Sequence, residues 1–271
     1  MANQNLVKSI SMLSLSLSLS LMLGLSANAD QSGATVRNAV PGPLALRAPA
    51  SQPSATSSVI RSKTYEAGSN RTKPLFDMVR EEKTDGDQTT IIESYTDLQG
   101  NEVFRGETKL QGGKIASYDL QQKQLHESAK ILVKDGKIFF EYTNRDGKVK
   151  KDEEKWHDNF VLGATLLRYI RAHSDDLMAG RDIDMRFGVP DRCETVGFKI
   201  FKEEEKKIDG RDVIIAKMKP TSVIIAALVK PLYFYIDKAS GKLLEFRGRV
   251  LPKQKDGDRF KDLDAETVYS Y

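Results

Sequence analysis

The sequence predicts a β-dominated α+β fold: a curved antiparallel sheet, either a half-barrel or an open barrel, with one or two short helices. From about residue 74, short runs of β-branched and aromatic residues alternate with turn dipeptides such as Asp85-Gly86, Asp135-Gly136 and Asp209-Gly210. Both central residues of such a turn need φ > 0, so Asp-Gly between two apolar runs indicates a hairpin. Nine to eleven strands are expected, enough for the sheet to curl.

One segment departs from the strand pattern and predicts a helix. Leu162, Leu166 and Ile170 follow one another at helical spacing, and Asn159 stands before them as a candidate N-cap. The helix is expected to end near His173. Its surface is apolar on more than one side, which favours a helix covered by the sheet.

Composition and charge exclude several classes of protein. The chain has 271 residues, with 42 Lys and Arg against 38 Asp and Glu, and its formal charge of +4 is too small to indicate a nucleic-acid partner. A single cysteine, Cys193, excludes an intrachain disulfide framework and a multi-cysteine zinc site. No nucleic acid and no cofactor are therefore expected.

The first 29 residues have the three parts of a Sec-type secretory signal peptide. Lys8 is the only charged residue before Asp30, an uncharged Leu- and Ser-rich run follows it, and Ala27 and Ala29 are the small residues before the expected cleavage site. The serines make the run too polar for a membrane anchor, and no later stretch is long enough to span a bilayer. The mature protein is expected in the periplasm or outside the cell, without a transmembrane segment.

The mature chain divides into a linker and one domain. Residues 30–64 are rich in Ser, Ala and Pro and hold few large apolar side chains. Such a segment cannot bury enough surface to offset its ordering entropy, so it is predicted to be a disordered linker. Residues 65–271 are predicted to form a single β-rich domain.

Seven consecutive apolar residues, Val223–Val229, stand between Pro220 and Pro231. They are too few to span a membrane. One interpretation is a buried core segment, to which Val223 would belong; others are a mobile flap over a cavity, or a surface that meets lipid or a protein partner. Ile224, Ile225 and Leu228 are the candidate contacts of an apolar ligand, with Ile224 leaning toward the core and Leu228 toward the cavity.

The sequence offers few residues for catalysis or metal binding. His157 lies between Trp156 and Asp158, but neighbours on an extended segment point to opposite faces and need not cooperate. Cys193 is not surrounded by any motif of a cysteine nucleophile. H-E-x-x-H, C-x-x-C, P-loop and G-x-S-x-G patterns are missing. No catalytic, cofactor-binding or metal-ligating residue is predicted, and the roles of His157 and Cys193 stay open.

The order of elements resembles that of LolA-like half-barrel proteins of the bacterial envelope. An export signal, a flexible lead, a curved antiparallel sheet and an interrupting helix occur in the same order, and residues 232–246 are similar to a hairpin of related uncharacterised periplasmic families. The resemblance covers about residues 74–271. It implies a concave apolar face that holds acyl chains, but no position matches a family motif, so no binding residue is carried over.

Three functions remain open. The first is a non-enzymatic envelope protein that binds a lipid or another apolar ligand on its curved sheet. The second is a structural or partner-binding periplasmic module, with an envelope protein as its partner and its interior filled by its own side chains. The third is a hydrolase whose site is assembled from scattered acids, and its weakness is the missing motif.

We predict that signal peptidase cleaves after Ala29, because small residues at the −3 and −1 positions fit the pockets of that enzyme. N-terminal sequencing of the exported protein should therefore begin at Asp30. An exported chain that keeps residues 1–29 would show this prediction to be wrong.

Overall fold

The computed structural model describes residues 55–271, which form one fifteen-stranded, curved and unclosed sheet with short helices. The predicted fold class is confirmed. The strands are β1 (Thr56–Glu66), β2 (Pro74–Asp85), β3 (Gln88–Asp97), β4 (Glu102–Gln111), β5 (Lys114–Gln122), β6 (Glu127–Lys134), β7 (Lys137–Thr143), β8 (Val149–Lys155), β9 (Phe160–Val161), β10 (Ile183–Val189), β11 (Glu194–Ile208), β12 (Arg211–Pro220), β13 (Leu232–Asp237), β14 (Leu243–Asp256) and β15 (Arg259–Ser270). The α-helices are α1 (Leu166–Ala172), α2 (Ser174–Met178) and α3 (Val223–Ala226), with 3₁₀ turns at Gly163–Thr165 and Pro190–Arg192.

The strand order is that of two meanders joined in the middle. It runs from β8 back to β1, then β15, and from there back to β9. Every pair is antiparallel except β9 with β10. Strands that follow one another in sequence mostly pair directly, as tight hairpins require: in the β6–β7 turn, Asp135 and Gly136 take φ of 52° and 71°. The predicted hairpin signal is therefore confirmed at this turn.

The two ends of the sheet approach each other through side chains. The carboxylate of Glu154, on the edge strand β8, accepts hydrogen bonds from the Thr195 amide at 2.9 Å and from the Thr195 hydroxyl at 2.6 Å. Strands in the middle of the sheet also meet across its inner side, where the Gln122 amide donates to the Leu251 carbonyl at 2.9 Å. These hydrogen bonds show that the sheet is strongly curved, because they join strands that are far apart in the strand order.

The inner face of the sheet is covered by residues 160–178. Leu166, Leu167 and Ile170 of α1 are almost completely buried in the main core, together with inward side chains from both meanders. Alternation along each strand directs every second side chain to this face. Residues 160–178, called the insert below, therefore cover apolar surface that would otherwise face water.

A buried charged cluster ties the sheet to the insert. Arg80 of β2 lies opposite Glu93 of β3, and both side chains are buried. The Arg80 guanidinium donates to the Ala164 carbonyl at 3.1 Å and to the Glu82 carboxylate at 2.8 Å, and it lies 3.6 Å from Glu93 Oε1. Arg168 of α1 pairs with the other oxygen of Glu82. Two guanidinium and two carboxyl groups thus share one site beneath α1.

Three sequence predictions need correction. Nine to eleven strands were expected, but residues 55–271 form fifteen. The linker was predicted to reach residue 64, but Thr56–Glu66 is strand β1, which pairs with both β2 and β15 in the middle of the sheet. The inward face of β1 is itself largely polar, with Ser62 and Thr64 buried beside Ile60, so its composition resembles that of a linker. The helix was predicted to start after Asn159, but Phe160–Val161 is β9 and α1 starts only at Leu166. The signal peptide, its cleavage site and the rest of the linker lie outside the described residues.

We predict that Glu93→Gln flattens the pH dependence of stability. Burial raises the pKa of Glu93 to about 7, although Arg80 acts in the opposite direction. A folded pKa above the unfolded value means that the stabilisation is complete below about pH 4.5 and is lost as the pH rises to about 7. The loss is roughly 3 kcal/mol, and glutamine, which cannot ionise, avoids it.

Urea unfolding of the wild type and the variant at about pH 5 and about pH 8 measures this difference. Glu81→Gln, at an exposed position of β2, is the matched control and should leave the pH dependence unchanged. Equal pH dependence in the wild type and in Glu93→Gln would contradict the prediction.

Candidate functional site

A cavity of about 530 Å³ lies between the two helices of the insert and strands β12 and β13. Its walls are mainly aliphatic, and its volume falls within the ~300–1,000 Å³ of typical small-molecule sites. The lining side chains of this kind are Leu167, Ile170, Leu177, Met178, Ile214 and Ile236. The cavity therefore offers an apolar interior on the covered side of the sheet.

Helical and strand periodicity bring these residues together. Leu167 and Ile170 are three residues apart on α1 and so share its inner face. Ile214 is directed inward from β12, whereas its neighbours Val213 and Ile215 belong to a separate cluster on the other face. Ile236 pairs with Ile214 across β12 and β13. The register of this strand pair thus decides which isoleucines line the cavity.

The mouth of the cavity is polar and structured. Arg171 donates from Nε and Nη2 to the Gly241 carbonyl, at 3.3 and 3.2 Å, which fastens α1 to the β13–β14 turn. Burial lowers the pKa of Arg171, which nevertheless keeps its charge at neutral pH because an arginine titrates so high. Asp237 accepts from the amide and hydroxyl of Ser240, both at 2.7 Å, and these hydrogen bonds lower its pKa. Asp175 and Lys238 complete the charged rim.

Other hollows fit a ligand less well. A space of about 50 Å³ between β4–β7 and Pro190 holds a few waters at most, at about 10–15 Å³ for each. A hollow of about 340 Å³ lies beside Trp156 and Tyr169 and is smaller than the main cavity. A shallow depression of about 780 Å³ on β6–β8 is larger, but its lining is mostly charged. Of these four hollows, the cavity beneath α1 and α2 is the one that joins a ligand-sized volume to a wall of aliphatic side chains.

The small space contains one coupled pair of polar groups. Glu127 and Tyr142 share a hydrogen bond there, and burial raises the pKa of both groups. A tyrosine with a raised pKa stays protonated and acts as a hydrogen-bond donor. The pair can hold a water molecule or join strands β6 and β7. The surrounding space of about 50 Å³ is too small to admit a substrate.

The apolar segment between the two prolines is not buried as a core segment. Val223 and Ile224 keep 84% and 77% of their surface exposed, and Leu228 keeps 54%, so the expected core position of Val223 and Ile224 is wrong. Only Ile225 and Val229 pack against the main core. The segment joins the end of β12 to the start of β13, whereas the cavity lies at the other end of this strand pair.

The three candidate ligand contacts are therefore separated from the cavity. Ile224, Ile225 and Leu228 do not belong to its lining, and the interpretation as a flap over it has no support in their position. The residues that do line the cavity were not singled out from the sequence. The available signals were the helical spacing of Leu167 and Ile170 and the strand alternation around Ile214, which indicate burial but not what lies opposite.

His157 and Cys193 have surroundings that suit structural roles. His157 is half-buried in the connection from β8 to β9, where Trp156 Nε1 donates to Asp158 at 3.3 Å. Cys193 is buried with φ of 52°, and its thiol donates to the Pro190 carbonyl at 3.5 Å. Burial raises the pKa of Cys193, which disfavours the thiolate that a nucleophile needs.

Acidic residues near the C-terminus are paired with basic ones. Arg249 of β14 binds both Asp262 and Asp264 of β15, and Lys253 binds Asp262 at 2.6 Å. Within residues 55–271, no group of three or more His, Cys, Asp or Glu side chains is placed to hold a metal ion. Over the same range, no helix has the length and apolar character needed to cross a membrane.

No protein-family model matches this chain, and no curated protein matches it either. Among solved structures, the chain is similar to a DUF1329 family protein from Desulfovibrio piger, with 10% identity, a TM-score of 0.27, and coverage of 80% of this chain and 83% of that one. A porin-like protein from Bacteroides uniformis has 9% identity, a TM-score of 0.26, and coverage of 78% and 96%. A domain from Vibrio parahaemolyticus, whose description refers to outer membrane lipoprotein sorting, has 10% identity, a TM-score of 0.25, and coverage of 80% and 83%.

The description of the third structure is of the same kind as the predicted resemblance to LolA-like proteins. TM-scores of this size leave the function to be decided from the chain's own geometry.

Proposed function

We propose that the protein is an exported, non-enzymatic envelope protein that binds an amphiphilic lipid in the cavity beneath α1 and α2. The observation that carries the proposal is the cavity of about 530 Å³ with aliphatic walls and a charged mouth. The predicted signal peptide supports export.

The walls favour an acyl chain over water. A buried water needs about two to four polar partners, and the side chains of Leu167, Ile170 and Ile214 offer none. An aliphatic chain placed among them loses its contact with water and gains close contacts with the side chains. The interior of the cavity is therefore suited to hydrocarbon.

The mouth favours a polar head group. Arg171 and Lys238 supply positive charge, and Asp175 and Asp237 supply negative charge within the same rim. The hydrogen bonds from Arg171 to Gly241 and from Ser240 to Asp237 hold this rim in one conformation. A molecule with an apolar tail and a zwitterionic or polar head matches both the interior and the mouth.

A second candidate function, a partner-binding module with a filled core, is favoured by a different observation. Residues 160–178 already occupy much of the covered face, and Leu166, Leu167 and Ile170 are almost fully buried there. In that case the cavity would be a packing irregularity between the insert and the sheet. The two functions differ in one measurable property: the lipid-binding protein retains a lipid after purification, and the partner-binding module does not.

We predict that Ile214→Trp abolishes lipid retention, because the indole fills the part of the cavity that an acyl chain would occupy. Native mass spectrometry of protein purified from a bacterial periplasm should show a lipid adduct in the wild type and none in this variant. Met178→Trp, at a partly exposed wall position of α2, is the second variant, in case Ile214→Trp unfolds the sheet. The affinity for a fluorescent fatty acid should fall at least about tenfold in both variants.

Val59→Trp is the matched control, since Val59 is an exposed aliphatic residue of β1 that does not line the cavity. It should keep the adduct and the affinity of the wild type. A wild-type protein that never carries lipid, or cavity variants that bind as tightly as the wild type, would refute the proposal and favour the filled module.

A further inference from the structure

Three exposed aliphatic side chains form a convex tip on the connection between β12 and β13. Val223, Ile224 and Leu228 make up this apolar tip, and the first two are the most exposed large hydrophobic residues in the described chain. Exposed apolar side chains gathered at one place mark a surface that is covered during function. The tip lies at the opposite end of the strand pair from the cavity, so it does not serve as the lid of that site.

The tip is anchored on its inner side. Ile225 and Val229 pack against the main core, and the Thr221 amide donates to the Gly197 carbonyl of β11 at 2.9 Å. Ser222 caps the N-terminus of the short helix α3, and its hydroxyl accepts from the Ile225 amide at 3.4 Å. The exposed side chains are therefore presented by a structured turn with a fixed orientation.

The backbone of the tip satisfies much of its own hydrogen bonding. The amides of Ala226 and Ala227 donate to the carbonyls of Ser222 and Val223, and the amides of Leu228 and Val229 both donate to the carbonyl of Ile225. A polypeptide that enters a low-polarity medium needs its amides paired, because unpaired ones cost several kcal/mol each there. This turn meets that requirement over its second half.

Positive charge flanks the tip on both sides. Residues 213–236 contain three lysines and no Asp or Glu. Lys219 and Lys230, each of which directly precedes one of the two prolines, are exposed, and of the two only Lys230 forms an ion pair within residues 55–271, with Asp264 at 3.2 Å. Aliphatic side chains at the summit and lysines below it are the arrangement that binds the interface of an anionic membrane.

We propose that the apolar tip docks the protein on the surface of a membrane that contains anionic phospholipids. Val223, Ile224 and Leu228 enter the boundary between head groups and acyl chains, and Lys219 and Lys230 remain at the level of the lipid phosphates. The shape supports a bilayer over a protein partner, because a bilayer receives a convex apolar tip without a preformed pocket. Docking does not depend on the cavity.

The test is co-flotation of the purified protein with vesicles of phosphatidylcholine alone and of phosphatidylcholine mixed equally with phosphatidylglycerol. The wild type should float with the mixed vesicles and much less with the neutral ones, and added salt should weaken the binding. Val223→Ser with Ile224→Ser should weaken partitioning by more than about tenfold, since two exposed aliphatic side chains lose their apolar contact. Lys219→Gln with Lys230→Gln should remove the preference for anionic vesicles.

Leu132→Ser is the matched control, because Leu132 is an aliphatic residue of β6 with an exposure of 45%, similar to that of Leu228. It should float as the wild type does. Thermal melting should be unchanged in the tip variants, since the substituted side chains face water, and their lipid adducts should persist, which separates docking from cavity binding. A wild type that floats with neither vesicle, or a tip variant that floats as the wild type does, would overturn the proposal.

Discussion

The structure depends on one requirement: the inner face of a fifteen-stranded sheet must be covered. The sheet is too wide to remain flat and too apolar on one side to face water, so it curls and takes up residues 160–178 against that side. Arg80 joins the two parts, since its guanidinium binds the Ala164 carbonyl of the insert and the Glu82 carboxylate of the sheet. Charges this deep are costly unless they are paired, and Arg80 pairs with Glu82, which also binds Arg168 of the insert.

The placement of the insert also produces the cavity. The helices α1 and α2 are short, and they lean against β12 and β13 without filling all the space between these elements. This aliphatic hollow of about 530 Å³ is open at a polar rim, so it is a pocket at the surface and not a closed void in the core. The hydrogen bond from Arg171 to the Gly241 carbonyl joins α1 to the β13–β14 turn at the edge of this space. The candidate cavity and the support of the sheet thus depend on the same helix.

Strands β12 and β13 connect the two candidate surfaces. At one end they contribute Ile214 and Ile236 to the cavity, and at the other they carry the apolar tip on α3. The pairing of these strands is direct over six residue pairs, which makes the unit stiff. A protein that receives a lipid from a membrane, or delivers one to it, needs both a site for the hydrocarbon chain and a surface that meets the bilayer. Here one strand pair carries both the candidate cavity and the apolar tip, without a contact between them.

The sequence by itself determined the fold class, because strand alternation and turn dipeptides such as Asp135-Gly136 act over a few residues and are visible along the chain. It also identified the apolar segment 223–229 as unusual. It could not decide whether Val223 and Ile224 are buried, since a run of aliphatic residues looks the same in a core and on an exposed turn. Nor could it place Arg171 beside Gly241, seventy residues away, or Ile214 opposite Leu167. Those contacts follow from the curvature and register of the whole sheet, and only the tertiary structure decides them.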